Sequence, residues 1–159
     1  MFWRGITRNK TSYLIPMTRD PTANKNGYSS WSYRKALTDG LLPFLDEFDQ
    51  FQQDNARVHI AQASMDWLLL HRIIPINWPA HSPDLNPIEH IWKALKAKLR
   101  RTHPEYVRLG KSEAYRKLLI KWIQDAWDAL PERLILKLTK SAANRLRACK
   151  KARGWCTKY

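Results

Sequence analysis

The sequence predicts an α/β fold in which a mixed sheet is flanked by helices and followed by a basic helical C-terminus. Three observations carry this expectation. The candidate elements run ββαβαβααα, and consecutive strand–helix–strand units imply a right-handed crossover between parallel strands. The 159 residues suffice for one domain with a core of its own, and an apolar content of 44% with eight Trp marks a folded chain. Between Phe51 and Lys93, Asp54 and Glu89 fall at the ends of different elements, an arrangement suited to holding a divalent metal.

Met1–Ile6 and Thr11–Met17 are rich in aromatic and β-branched residues and flank a polar turn, which predicts a hairpin. Asp20 to Gly27 is a loop by its Pro, Asn and Gly content. Ser29 or Ser30 then caps a helix to about Phe48, although Gly40 and Pro43 interrupt its apolar spacing. Phe51–Asp54 reads as a short strand. Val58–His71 reads as one helix with Ile60, Ala63, Trp67 and Leu70 on its inner face. Ile73–Trp78 is a second strand, and Pro75 favours an edge position for it.

Prolines 79 and 83 bar regular structure between them. Asn86 is a natural N-cap with Pro87 at the first helical position and Glu89 at the third, and the helix continues through Ile91, Leu95 and Leu99. Ser112 opens a further helix with Tyr115, Leu118, Leu119, Trp122, Ala126 and Leu130 on one face. Pro131 starts a last helix, with Leu134, Leu138, Ala142 and Leu146 inward and its basic residues outward. Trp78, Trp92, Trp122 and Trp127 fall among apolar positions and read as core.

The formal charge is +14, and Lys98 to Tyr159 carries 17 Lys/Arg against 5 Asp/Glu, a net +12. Such a surface suits nucleic acid, although singly each residue is an ordinary solvated helix position. The basic positions on the last helices are Lys117, Lys121, Lys137, Lys140, Arg145 and Arg147. No apolar run approaches the roughly 18 residues of a membrane span. Cys149 and Cys156 lack ligand spacing, which predicts a reduced intracellular chain. The five His show no zinc-binding pattern.

Ionised carboxylates are hard oxygen ligands suited to Mg²⁺. Both acids also have a purely local reading. Asp54 suits a turn or cap before the helix at Val58, and Glu89 suits a capping box, reaching back to the Asn86 backbone. His59, on the first turn after Asp54, reads either as a group that orients a phosphate or a carboxylate or, as a lone His there more often is, as structural.

QQDNARVH followed by WPAHSPDLNPIEHIW resembles the catalytic domain of the mariner superfamily of cut-and-paste DNA transposases, in its Asp-Asp-Glu branch. In that pattern 34 residues separate the second Asp from the Glu, as they do between Asp54 and Glu89. MFWRGIT looks like an aromatic-rich strand of the family, FQQDN like its fourth strand, and the final segment like its C-terminal helix and terminal Lys-Tyr. The resemblance covers residues 1–159, with a core over 1–102 and C-terminal helices over 112–153.

The resemblance implies an RNase H-like fold, DNA as partner, and two-metal chemistry with Mg²⁺ or Mn²⁺ at phosphodiester bonds. It carries Asp54 over as the second metal ligand and Glu89 as the third acid. Asn55, His59, Ser82, Pro83, Asp84, Asn86 and Pro87 carry over as residues shaping the site. The family's first catalytic Asp lies upstream of the MFW segment. The chain is therefore expected to be an N-terminally truncated fragment, lacking the first strand and inactive alone; Asp20 and Asp39 are no substitutes. A non-catalytic DNA-binding module and a nuclease acting on RNA–DNA hybrids are the competing readings. A nuclear location in a eukaryotic host, or otherwise an intracellular one, is expected, and a homodimer is left open.

Overall fold

The computed structural model describes residues 1–8, 10–23, 26–46, 50–108, 110, 112–155 and 157–159. The chain forms two compact units, one of Met1–Gly5 and Lys10–His81 and the other of Ile6–Asn9 and Ser82–Tyr159.

The first unit begins with the expected hairpin, shorter than its apolar runs. β1 (Phe2–Trp3) and β2 (Ile15–Pro16) are antiparallel, with Phe2 opposite Pro16 and Trp3 opposite Ile15. The ladder is extended by Ser12 N donating to Gly5 O at 3.0 Å and Met17 N to Met1 O at 3.0 Å.

Helix α1 (Ser30–Gly40) starts where the capping residues dictate. Ser29 Oγ accepts from Trp31 N at 3.1 Å, and Ser29 N donates to Ser32 Oγ at 3.3 Å. Its buried face is Ser32, Tyr33, Ala36, Leu37 and Gly40. Gly40 is required by contact, since a Cβ there would stand 2.5 Å from the Trp3 indole and 2.8 Å from Ile15. The helix expected to reach Phe48 stops here, because Pro43 lacks an N–H and disfavours helical geometry in the residue before it. Phe48 itself lies outside the described residues.

The segment expected as one helix over 58–71 is two, α2 (Arg57–Ile60) and α3 (Gln62–Leu70), parted at Ala61, whose ψ of 139° is extended. Ser64 supplies the cause: its buried hydroxyl donates to Val58 O at 2.6 Å, the carbonyl that Gln62 N would take in a continuous helix. The break turns the inner face to Ser64 and Leu68, leaving Ile60 and Leu70 of the expected face exposed. Helix α3 ends with Arg72 at φ 58°; Ile73 N bonds Leu68 O and Arg72 N bonds Leu69 O, both at 2.9 Å. This is a Schellman closure with Arg where Gly is usual.

The core of the unit joins Met17, Tyr33, Ala36, Leu37, Leu41, Leu68 and Ile73, with Trp3, Phe51 and Val58 packed against it. Burying a side chain such as Leu37 contributes roughly 2 kcal/mol. The two strands expected over 51–54 and 73–78 reduce to one parallel bridge, Phe51 to Pro75, with Ile76 N donating to Phe51 O at 2.8 Å. Pro75 has no N–H to extend the ladder. Among the described residues, the mixed sheet is therefore a two-stranded ladder plus this bridge.

In the second unit, a 3-10 turn (Pro83–Leu85) leads into α4 (Pro87–Thr102), followed by a 3-10 turn over Pro104–Arg108. Helix α4 follows its expected register, burying Ile91, Leu95 and Leu99. Helix α5 (Glu113–Asp128) is capped by Ser112 and buries Ile123, Ala126 and Trp127. Trp127 meets Trp92 edge-on at 5.5 Å, and Trp122 stacks on His103 at 4.2 Å. The first half of its expected inner face is open, with Tyr115 and Leu118 exposed.

The last helix is also two, α6 (Glu132–Lys140) and α7 (Ala142–Lys151). The break falls at Ser141, whose hydroxyl bonds Leu138 O. The phase shift reverses two assignments: Leu146, expected inward, is 57% exposed, and Arg145, expected on the nucleic-acid face, is 1% exposed. Among the described residues, no helix is long and apolar enough to cross a membrane.

Candidate active site

Asp54 lies at the open end of the Phe51 segment in the first unit, with its side chain 55% exposed. Its Oδ1 accepts from Ala56 N at 3.0 Å, so the expected turn role is present. His59 Nδ1 stands 2.6 Å from the same oxygen. An ionised carboxylate only accepts, so this nitrogen carries the proton. Among the described residues Oδ2 takes no hydrogen bond or ion pair. One oxygen is committed to holding the group in place and the other is open.

His59 is in turn braced by Tyr33, whose ring centroid lies 4.2 Å away. Tyr33 is 1% exposed and donates to Gln53 Oε1 at 2.6 Å. Burial, and then the Asp54 charge, push its phenol well above the usual tyrosine range. Asn55 Nδ2 donates to Trp78 O at 2.9 Å, tying the chain after Asp54 to the end of the 73–78 segment. Asp20 and Asp39 are engaged elsewhere: Ser29 and Thr22 bond the Asp20 carboxylate, and Asp39 pairs with Lys35 at 3.4 Å.

In the second unit Glu89 occupies the third position of α4 and is exposed. Asn86 Oδ1 caps Ile88 N at 3.3 Å, as its residue type leads one to expect. The reciprocal half of a capping box does not form, because the Asn86 N–H is already spent on Pro83 O at 3.1 Å. Among the described residues the Glu89 carboxylate takes no hydrogen bond or ion pair. It sits in the first turn, where the helix dipole favours negative charge.

The residues before Glu89 are engaged in local structure and in contacts from later in the chain. Pro83 opens the 3-10 turn and follows Ser82, Pro87 opens α4, and Asp84 is gripped from two sides. Arg145 Nη1 donates to Asp84 O, Nε donates to Ser141 Oγ at 2.8 Å, and Nη2 lies 3.4 Å from His90 Nδ1. Thr157 donates to Asp84 Oδ2 from its backbone N at 3.2 Å and its hydroxyl at 2.8 Å. Burial, then the charges of Arg145 and Lys93, hold the His90 imidazolium down, so its Nδ1 can accept from the guanidinium. Burial also pulls against the Arg145 charge, which Tyr159 and Asp84 offset.

These contacts reach 61 and 73 residues along the chain, and no local pattern announced them. Lys117, Lys121, Lys137, Lys140 and Arg147 are exposed as expected. Among the described residues no group of three or more His, Cys, Asp or Glu gathers as a metal cluster.

A family model described as DDE superfamily endonuclease matches residues 47–109, a span holding both acids. The chain is 32% identical over 122 residues to the transposable element Tc3 transposase of Caenorhabditis elegans, covering 74% of this chain and 35% of the relative. It is 35% identical over 109 residues to the Tc1 transposase of the same organism, covering 69% and 37%.

The fold matches the catalytic domain of the Mos1 mariner transposase with a TM-score of 0.58 and 16% identity, over 99% of this chain and 82% of that one. A structure of that domain with raltegravir and Mn matches with the same TM-score. The architecture is thus RNase H-like, and the matches together support a mariner/Tc1 DDE transposase domain. The chain spans about a third of the length of the curated relatives it matches.

Proposed function

We propose that this chain is the part of a cut-and-paste DNA transposase that carries two acids of a divalent-metal site, Asp54 and Glu89. The observation that carries the reading is their shared state of readiness. Asp54 is held through one oxygen by His59 and Ala56 with the other open, and Glu89 is released from the cap that its sequence context offered. Open, oriented carboxylates are the donor set of Mg²⁺ or Mn²⁺, and the Mn in a structure of the Mos1 domain is consistent with it. Asp54 and Glu89 would hold the metal, which would supply Lewis-acid polarisation of a phosphodiester and of a water. The chain's own residues fix the donors: His59 and Tyr33 orient Asp54, and the Asp84 turn and Asn86 place Glu89.

Among the described residues no cluster of three such acids is present, and Asp20 and Asp39 are committed to local contacts. The chain alone is therefore expected to be inactive. The test is incubation of the purified protein with Mg²⁺ or Mn²⁺ and DNA carrying transposon ends. No cleavage is expected; cleavage that disappears in Asp54→Ala overturns the inactivity.

A second reading, DNA binding without catalysis, is favoured by the exposed Lys117, Lys121, Lys137 and Lys140 on a segment of net +12. It expects binding that weakens steeply with salt. Replacing these lysines with Gln reduces the log–log slope by about 0.9 for each phosphate left unneutralised. A slope unchanged in the quadruple variant rejects it.

A further inference from the structure

The first turn of α4 is weakly self-supporting. Ile88 N reaches Asn86 Oδ1, and Glu89 N reaches Asn86 O, each at 3.3 Å, beyond the usual range for an N–H···O bond. The turn that precedes it is far better held. Asp84 is two residues before the cap, in a turn whose ends are closed by Leu85 N to Ser82 O and Asn86 N to Pro83 O. Its carbonyl takes the guanidinium of the buried Arg145, and its Oδ2 takes two bonds from Thr157. Segment 157–159 is itself folded onto this point, with the Tyr159 ring 4.7 Å from the Arg145 guanidinium and a longer contact, 3.3 Å, from Tyr159 N to Thr157 Oγ1.

We propose that Arg145 and the segment 157–159 form a clasp on Asp84 that fixes where α4 begins, and so positions Glu89. Arg145, Thr157 and Asp84 are positioning residues. Arg145 alone cannot do this, since its bond to a carbonyl leaves the Asp84 carboxylate free to swing. Thr157 holds the carboxylate, and Tyr159 stacks on the cation that holds the carbonyl. The pieces are arranged as a closed ring, Asp84 to Thr157 to Tyr159 to Arg145 and back to Asp84. The functional meaning of the clasp rests on the reading of Glu89 as a metal ligand; its existence does not.

Amide hydrogen exchange by NMR on the intact 159-residue chain tests it. In Thr157→Val, exchange at Ile88 and Glu89 is expected to quicken about fivefold to tenfold, the effect of about one net hydrogen bond. Leu95 and Leu99, in the interior of α4, keep their wild-type rates, and Thr157→Ser restores slow exchange at Ile88 and Glu89. Unchanged rates at Ile88 and Glu89 overturn the clasp, and so does equal acceleration at Leu95 and Leu99, which marks general loosening. Broadening of the wild-type Glu89 amide by Mn²⁺, measured on the same sample, reports separately on the metal reading. Its absence overturns that reading and leaves the exchange data to decide the clasp.

Discussion

Arg145 and Asp84 lie 61 residues apart in sequence and meet where the guanidinium donates to the Asp84 carbonyl. The arginine is 1% exposed while its neighbour Leu146 is 57% exposed, the reverse of what their chemistry suggests. Removing a buried, hydrogen-bonded cation leaves its acceptors unsatisfied, so Arg145→Ala is expected to destabilise the protein by roughly 2–4 kcal/mol. Leu146→Ala is expected to cost no more than about 0.5 kcal/mol. Urea unfolding of the two variants checks the order, and equal losses would show that α7 packs by the other face.

Arg72 holds φ at 58° to close α3 over Leu68 and Ile73. A side chain in the left-handed region is strained where glycine is not. Arg72→Gly is therefore expected to stabilise the protein by about 0.5–1 kcal/mol, after allowing for the added freedom of the unfolded chain. Thermal unfolding measures it, and a lower Tm would contradict the closure described.

The Asp20 carboxyl is held below its ordinary range by Ser29 first and then by Thr22. A depressed folded-state pKa contributes stability above the unfolded value, near 3.9, and loses it as pH falls through the folded one. The wild type should therefore lose more stability between about pH 5 and pH 2 than Asp20→Asn does. Denaturant midpoints across that window decide, and parallel curves would remove Asp20 from the account.

The parts of the fold legible in the sequence are those fixed by neighbours along the chain. Asn86, Pro87 and the four-residue spacing of Ile91, Leu95 and Leu99 mark α4 in the sequence. Ser29 likewise marks the start of α1. Periodicity fails where one hydroxyl diverts one carbonyl: Ser64 at Val58 and Ser141 at Leu138 each divide a helix and rotate its second half. At the site, Asp54, Glu89 and His59 stand out by motif and spacing. Their supports do not, because Tyr33 reaches Gln53 across 20 residues and Thr157 reaches Asp84 across 73, distances over which a single sequence carries no register.

The proposed role of Asp54 and Glu89 as donors to one divalent metal is tested by Mn²⁺ titration followed by amide line broadening. The amides at Asp54, Asn55 and Glu89 are expected to broaden together in the wild type, and Asp54→Asn is expected to relieve the broadening at Glu89 as well as at its own position. Broadening at Glu89 that persists undiminished in Asp54→Asn, or broadening confined to residues remote from both acids, would contradict the claim.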